Sequence, residues 1–327
     1  MKNVRIAIAV VLSVTLMFAA RALKTGQSQE YSHTENGFTF AMTSLAQAGE
    51  NNLVEIKLNV DGPMEPGLRV ILRQSKVGQD SVSDISRFGN IPMRLSDSAS
   101  GLYVSELRTG ARGGRLFYYF DIRDGVGGLR ARFTPSAGGT FLMRYTGTVP
   151  VMVLAGHLLS IATAIFCITM AALYAFQLLL GGTDVQQIAR YIFWAAVAVF
   201  MGGYPFGIAM RWYFDGRLWE AVPFGTDVTD NKTQLLFVYI LFVWLSLLKP
   251  FSRDRGGFDL LSPRTVGMLS VGAFAMMIVV YLVPHSTQYD PDLTKQVSYG
   301  FIAVVVSALT YLYARAWQKK TAVRNDH

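Results

Sequence analysis

Three patterns of apolar and polar positions succeed one another along the chain. After the basic start Met1-Lys2-Asn3-Val4-Arg5 comes a run of about fifteen apolar or small residues, Ile6 to Ala20. That is shorter than the ~20 residues that cross a bilayer as a helix and long for a signal-peptide core. Residues 1–23 therefore read as a signal anchor or a signal peptide, with Ala20-Arg21-Ala22 giving small-x-small cleavage spacing around an arginine. From 24 to 148 the pattern becomes short alternating runs. Val54, Ile56, Leu58 and Val60 share one face, as do Leu116, Tyr118, Phe120 and Ile122. Further runs at 37–43, 68–73, 102–108, 129–133 and 139–145 are separated by clusters of Gly, Pro, Ser and Asp. Together they predict an all-β two-sheet sandwich of immunoglobulin (Ig) or fibronectin type III kind. Beyond Val149 the apolar stretches lengthen to 150–180, 188–212, 233–248, 265–284 and 297–314, which predicts a five-helix transmembrane α bundle over 149–327.

Composition agrees with a membrane class. Of 327 residues, 51% are hydrophobic and only 16% charged, and the mean hydropathy is +0.31. The formal charge of +8 does not imply nucleic acid, because the basic residues partition by loop. Lys249, Arg253, Arg255 and Arg264 fall in one loop, and Arg315, Lys319, Lys320 and Arg324 follow the last stretch. With Lys2 and Arg5 they mark the cytoplasmic side, including the C-terminus. The alternate loops hold Asp215, Glu220, Asp227, Asp230, Asp290 and Asp292, and belong outside with the β domain. The topology predicted is that of a bacterial inner-membrane protein with a periplasmic N-terminal domain, and that domain is itself nearly balanced in charge. Cys167 is the only cysteine, which excludes a disulfide framework and C-x-x-C metal sites; it reads as a buried small hydrophobe.

The candidate chemistry lies on the predicted outer face. Gly225-Thr226-Asp227-Val228-Thr229-Asp230-Asn231-Lys232-Thr233 opens the third apolar stretch, His157 lies about two turns into the first, and His285 ends the fourth. Asp227 or Thr229 would cap a helix beginning near residue 231, and Lys232 would pair with an aspartate. The other reading is an ion site in which His157, Asp227, Asp230 and His285 hold a transition metal, or a b-type haem with His157 and His285 as axial ligands. The two readings are compatible. Met201-Gly202-Gly203-Tyr204-Pro205-Phe206-Gly207 breaks its helix, since Pro205 lacks an amide hydrogen and Gly203 with its neighbours permits close backbone approach. The freed carbonyls would face either a packed neighbour or a cavity. No phosphate-binding loop, zinc-protease motif, nucleophile elbow or pair of similar halves is present in the sequence, and no nucleophile stands beside a base.

The motifs V-P-x(6)-H, P-F-G-T-D-V-T-D-N-K-T and V-P-H-S, together covering nearly the whole chain in their reach, resemble those of a family of bacterial multi-pass membrane proteins of unassigned function. That likeness implies an exported Ig-like domain ahead of a helical bundle, with D-x-T-D-N-K-T as its most specific part. The expected role is a binding or scaffold component of an envelope complex, set in the lipid bilayer and meeting an envelope protein partner through the β sandwich, rather than an enzyme. The alternative is a periplasmic-face metal- or haem-binding protein.

Overall fold

A computed structural model of the chain describes residues 2–22, 28–63, 67–77, 88–136, 138–247, 261–283 and 290–325. It divides into two compact units, one of Gly26–Val149 with Arg211–Arg217 and one of Met1–Thr25, Pro150–Met210 and Leu218–His327.

The first unit is built of strands β1 (Gln29–Glu35), β2 (Phe38–Ser44), β3 (Gln47–Gly49), β4 (Leu53–Asp61), β5 (Arg69–Val77), β6 (Gly89–Pro92), β7 (Arg94–Asp97), β8 (Leu102–Arg108), β9 (Arg115–Arg123), β10 (Leu129–Phe133) and β11 (Phe141–Thr146). They form two sheets, ordered β1-β2-β4-β8-β7 and β3-β11-β9-β5-β6, with β10 also paired to β9. All pairs are antiparallel except β11 with β3. The alternation read from the sequence sets the inner faces: Phe40, Leu58 and Val60 from one sheet meet Leu72, Tyr118, Phe120 and Ile122 from the other in one core. Phe40 stacks on Phe133 at 5.0 Å between centroids, joining the sheets. Strands β1, β3, β6 and β7 lie outside the predicted runs. They are short or polar, as β1 shows with Gln-Glu-Tyr-Ser-His-Thr-Glu, and pairing rather than burial holds them. His33 in β1 is exposed, as a surface residue would be. Gly101 is needed where it stands: its φ is +62°, and a Cβ there would lie 2.1 Å from the Val60 carbonyl oxygen. Phe214 O accepts from Gly147 N at 2.7 Å within this unit, and the Arg112 guanidinium lies over Trp212.

Two buried phenols give this domain an alkaline limit. Burial pushes Tyr118 and Tyr145 up to about 12, with Tyr118 also sharing a hydrogen bond of 2.9 Å with the Ser44 hydroxyl. An unfolded phenol ionises near 10. Because the folded form holds the proton more tightly, their contribution is complete below pH 10 and is lost as pH rises from 10 through 12. Each phenol then costs about 1.4 kcal/mol per pH unit in that window. Denaturant titrations of the full chain at rising pH should show this loss, and Tyr118→Phe should reduce its slope.

The second unit consists of helices α1 (Lys2–Ala22), α2 (Val151–Leu179), α3 (Val185–Gly203), α4 (Pro205–Asp215, whose last residues fall in the β unit), α5 (Val228–Leu245), α6 (Pro263–Leu282) and α7 (Pro291–Asn325). Among the described residues five helical segments are long and apolar enough to cross a membrane: Asn3–Ala22, Val151–Leu179, Val185–Asp215, Pro263–Leu282 and Pro291–Arg315. Small residues at the contacts, including Ala164, Ala171 and Ala175 of α2 and Ala189 and Ala195 of α3, bring these helices together. Cys167 is buried in the same core. Outward positions such as Leu159, Val297, Val304 and Val306 are apolar and exposed, as lipid-facing side chains would be. Helix α1 packs its Ala9, Ser13 and Leu16 inward, and Arg5 lies over the Tyr174 ring of α2.

The apolar stretch 188–212 breaks where the sequence places the break, into two helices that meet at Tyr204. One expectation is corrected. The stretch 233–248 begins its helix earlier, at Val228, so its first turn carries Asp230, Asn231 and Lys232. Those groups dilute its hydropathy, and the N-terminal helix, not α5, completes the five apolar segments. Lys249, Arg253 and Arg255, expected in a cytoplasmic loop, lie outside the described residues.

Candidate functional site

The polar motif forms the start of α5. Asp227, in extended conformation, is the N-cap: its Oδ1 accepts from Thr229 N at 2.9 Å and from Asp230 N at 3.2 Å. These are two of the amides a helix start leaves without partners, and a carboxylate there also complements the helix dipole. Thr229 thus receives the cap rather than supplying it.

The rest of the motif reaches back to the preceding segment. Asp230 Oδ2 accepts from Glu220 N at 2.8 Å, while Asp227 N donates to Glu220 O at 3.0 Å. Asn231 works at both ends of its amide, accepting from Val222 N at 3.1 Å and donating to Asp227 O at 2.8 Å. Gln234 Nε2 donates to Val222 O at 3.1 Å. Four backbone groups of a buried, non-helical stretch, Glu220 to Val222, are in this way satisfied by α5. Asp230 and Asn231 are only 8% and 2% exposed, so neither is an ordinary surface residue. The sequon Asn231-Lys232-Thr233 is closed to glycosylation by the same burial.

Lys232 projects to another helix. Its Nζ donates to Val283 O at the end of α6, where a cation complements unpaired carbonyls. Thr233 Oγ1 donates to Thr229 O at 2.8 Å, and its methyl group meets α3: a Cβ added at Gly203 would lie 2.8 Å from Thr233 Cγ2. Tyr204, at the break, stacks on Trp219 at 4.6 Å and meets Phe237 edge-on at 5.5 Å.

His157 belongs to this break. Its Nδ1 lies 2.9 Å from Gly202 O. A carbonyl can only accept, so Nδ1 carries the hydrogen and the lone pair of the neutral ring is on Nε2. Close approach makes the contact possible: a Cβ at Gly156 would strike the Phe206 ring at 2.4 Å, and one at Gly202 would lie 3.1 Å from Ser160 Cβ. Pro205 has no N–H to give to Met201 O, so the helix yields here. The next carbonyl along, Gly202 O, is the one that faces the histidine.

The structure brings Asp227, Thr229, Asp230, Asn231 and Lys232 together as one hydrogen-bonded unit beside Gly203, and ties His157 to Gly202. Among the described residues no group of three or more His, Cys, Asp and Glu side chains is placed to hold a metal ion. His285 lies outside the described residues. Glu220, read in the sequence only as a loop acid, and Tyr204, read only as part of the break, complete the arrangement with Trp219 and Gln234. A signal existed for Gln234, since Asp227, Asn231 and Gln234 stand at i, i+4 and i+7, one polar stripe on a helix.

Replacing the cap by Asp227→Ala should lower stability by about 1 kcal/mol, with Asp227→Ser recovering much of it. Thermal unfolding of the detergent-solubilised chain reads both. No family model matches the chain, and no curated protein matches it.

Proposed function

We propose that this is an inner-membrane protein whose periplasmic, Ig-like β domain is the binding module of an envelope complex, with D-x-T-D-N-K-T as a structural fastening within the membrane bundle. The observation that carries the structural role of the motif is the pairing of Asp230 and Asn231 with the backbone of Glu220 and Val222. Side chains engaged in this way are already committed to backbone partners. The Ig-like reading is supported by two sheets that share one core, and the likeness to the bacterial family extends it to an exported domain. Orientation rests on the distribution of Lys and Arg among the loops. Packing of Ala9, Ser13 and Leu16 into the bundle supports a retained anchor over a cleaved signal.

A second reading has His157 as its one favourable observation. A histidine whose Nδ1–H is fixed on a carbonyl presents Nε2 in the way that metal-bound imidazoles do. It requires His285 as second haem ligand, or Asp227 and Asp230 as metal ligands, and both carboxylates already accept from backbone amides. The absorption spectrum and metal content of the purified full chain separate the readings. The scaffold reading predicts neither a Soret band nor a stoichiometric metal, in wild type or in His157→Ala. A haem or metal bound one per chain and lost in His157→Ala would overturn it.

A further inference from the structure

Among the described residues of the β domain, cations gather on one sheet face. Residues directly opposite on antiparallel strands share a face of the sheet. In the second sheet Arg69 stands opposite Arg123, Arg144 opposite Arg115, Arg73 opposite Tyr119, and Arg132 opposite Asp121. The alternate positions, Val70, Leu72, Leu116, Phe120 and Met143, are in the core, so this row points outward. Among the described residues six arginines therefore share the outer face with one carboxylate, Asp121.

Two of these registers set arginine against arginine, which like charges alone would disfavour; Arg115 is engaged besides, and Arg73 donates to the Asn90 side chain. Asp121, fully buried, offsets only part of the charge, accepting from Arg132 Nε at 2.8 Å and Arg123 Nη2 at 3.2 Å. At the margin Asp124 pairs with Arg130 at 3.2 Å, and Glu35 accepts from the Arg132 amide. Arg69, Arg132 and Arg144 are exposed, and the others half-buried. Between them lie Phe117, Ile71 and Leu142, and Tyr119, which carries the Arg132 guanidinium at 4.7 Å and packs against Phe88.

We infer that this outer face docks an acidic segment of a protein partner; the inference rests on the binding reading above and supplies its surface. Charge complementarity sets the sign of the partner. Its class follows from composition, because every cation at these outward positions is an arginine and aromatic and aliphatic side chains fill the gaps. Arginine and aromatics are enriched, and lysine depleted, where protein partners meet. A guanidinium fork engages a carboxylate through two parallel hydrogen bonds, and its flat face stacks on aromatic rings.

The test uses the full chain in phosphatidylcholine nanodiscs and a synthetic peptide of alternating glutamate and tyrosine, with a glutamine-tyrosine peptide as control. The double variant Arg69→Glu/Arg144→Glu turns both like-charge pairs into opposite-charge pairs. It should melt at the same or a higher temperature than wild type, while its affinity for the acidic peptide falls at least about tenfold. The control peptide should bind neither. Acidic-peptide binding that is equal in variant and wild type overturns the arginine face and leaves the binding reading intact. Failure of the peptide to bind either chain likewise overturns the arginine face. Binding of phosphatidylglycerol vesicles in place of the peptide overturns the protein partner in favour of a lipid surface.

Discussion

Asn231→Ala is expected to destabilise the helical unit by about 2–3 kcal/mol, more than removal of the cap. The side chain is 2% exposed and serves two backbone groups at once, Val222 N and Asp227 O. Truncation removes both bonds, and the Val222 amide, in a residue only 3% exposed, is left without an acceptor. An orphaned buried donor costs more than the net value of the bond it lost, because water cannot replace the partner. Asp230→Ala should act in the same direction through the Glu220 amide. Asn231→Asp keeps an acceptor for Val222 N but sets a buried carboxylate oxygen against Asp227 O, and should be no more stable than alanine. Thermal unfolding in detergent ranks the series.

Phe120→Ala is expected to cost about 3–5 kcal/mol in the β domain, the largest single effect. Its ring is fully buried on β9, the strand that pairs with β5, β10 and β11, and contacts the rings of Tyr118, Phe133 and Phe141 at 5.8, 6.0 and 6.0 Å. Those neighbours are held by strands on both sides and by the stack of Phe133 on Phe40, so they cannot close the cavity. Phe120→Leu, nearer in volume, should lose less than half as much. Denaturant unfolding of the full chain, followed by the β-domain signal, measures the pair.

Legibility followed the strength of the local signal. Alternation over Val54 to Val60 and Leu116 to Ile122 is enforced by burial of one face, and these became the central strands β4 and β9. Edge strands carry no such imprint: Gln29–Glu35 is a strand because Phe38–Ser44 offers it a ladder. Helical stretches were equally plain except where chemistry interrupts them. Pro205 and its glycines were visible as a break, yet the partner of that break, His157 on Gly202 O, lies 45 residues away along the chain. Asp227 was legible as a cap because caps are local. The roles of Asp230 and Asn231 were not, since their partners sit in a loop with no period of its own. The arginine face was hidden for a related reason: its residues come from four strands, and only the register aligns them.

The central claim is that Asp230 and Asn231 fasten the backbone of Glu220 and Val222 to α5. Hydrogen exchange at those two amides tests it directly, in wild type, Asp230→Ala and Asn231→Ala. The account predicts protected Glu220 and Val222 amides in wild type, selective loss of protection at Glu220 in Asp230→Ala, and at Val222 in Asn231→Ala. Exchange that is already fast in wild type, or unchanged in both variants, would contradict it.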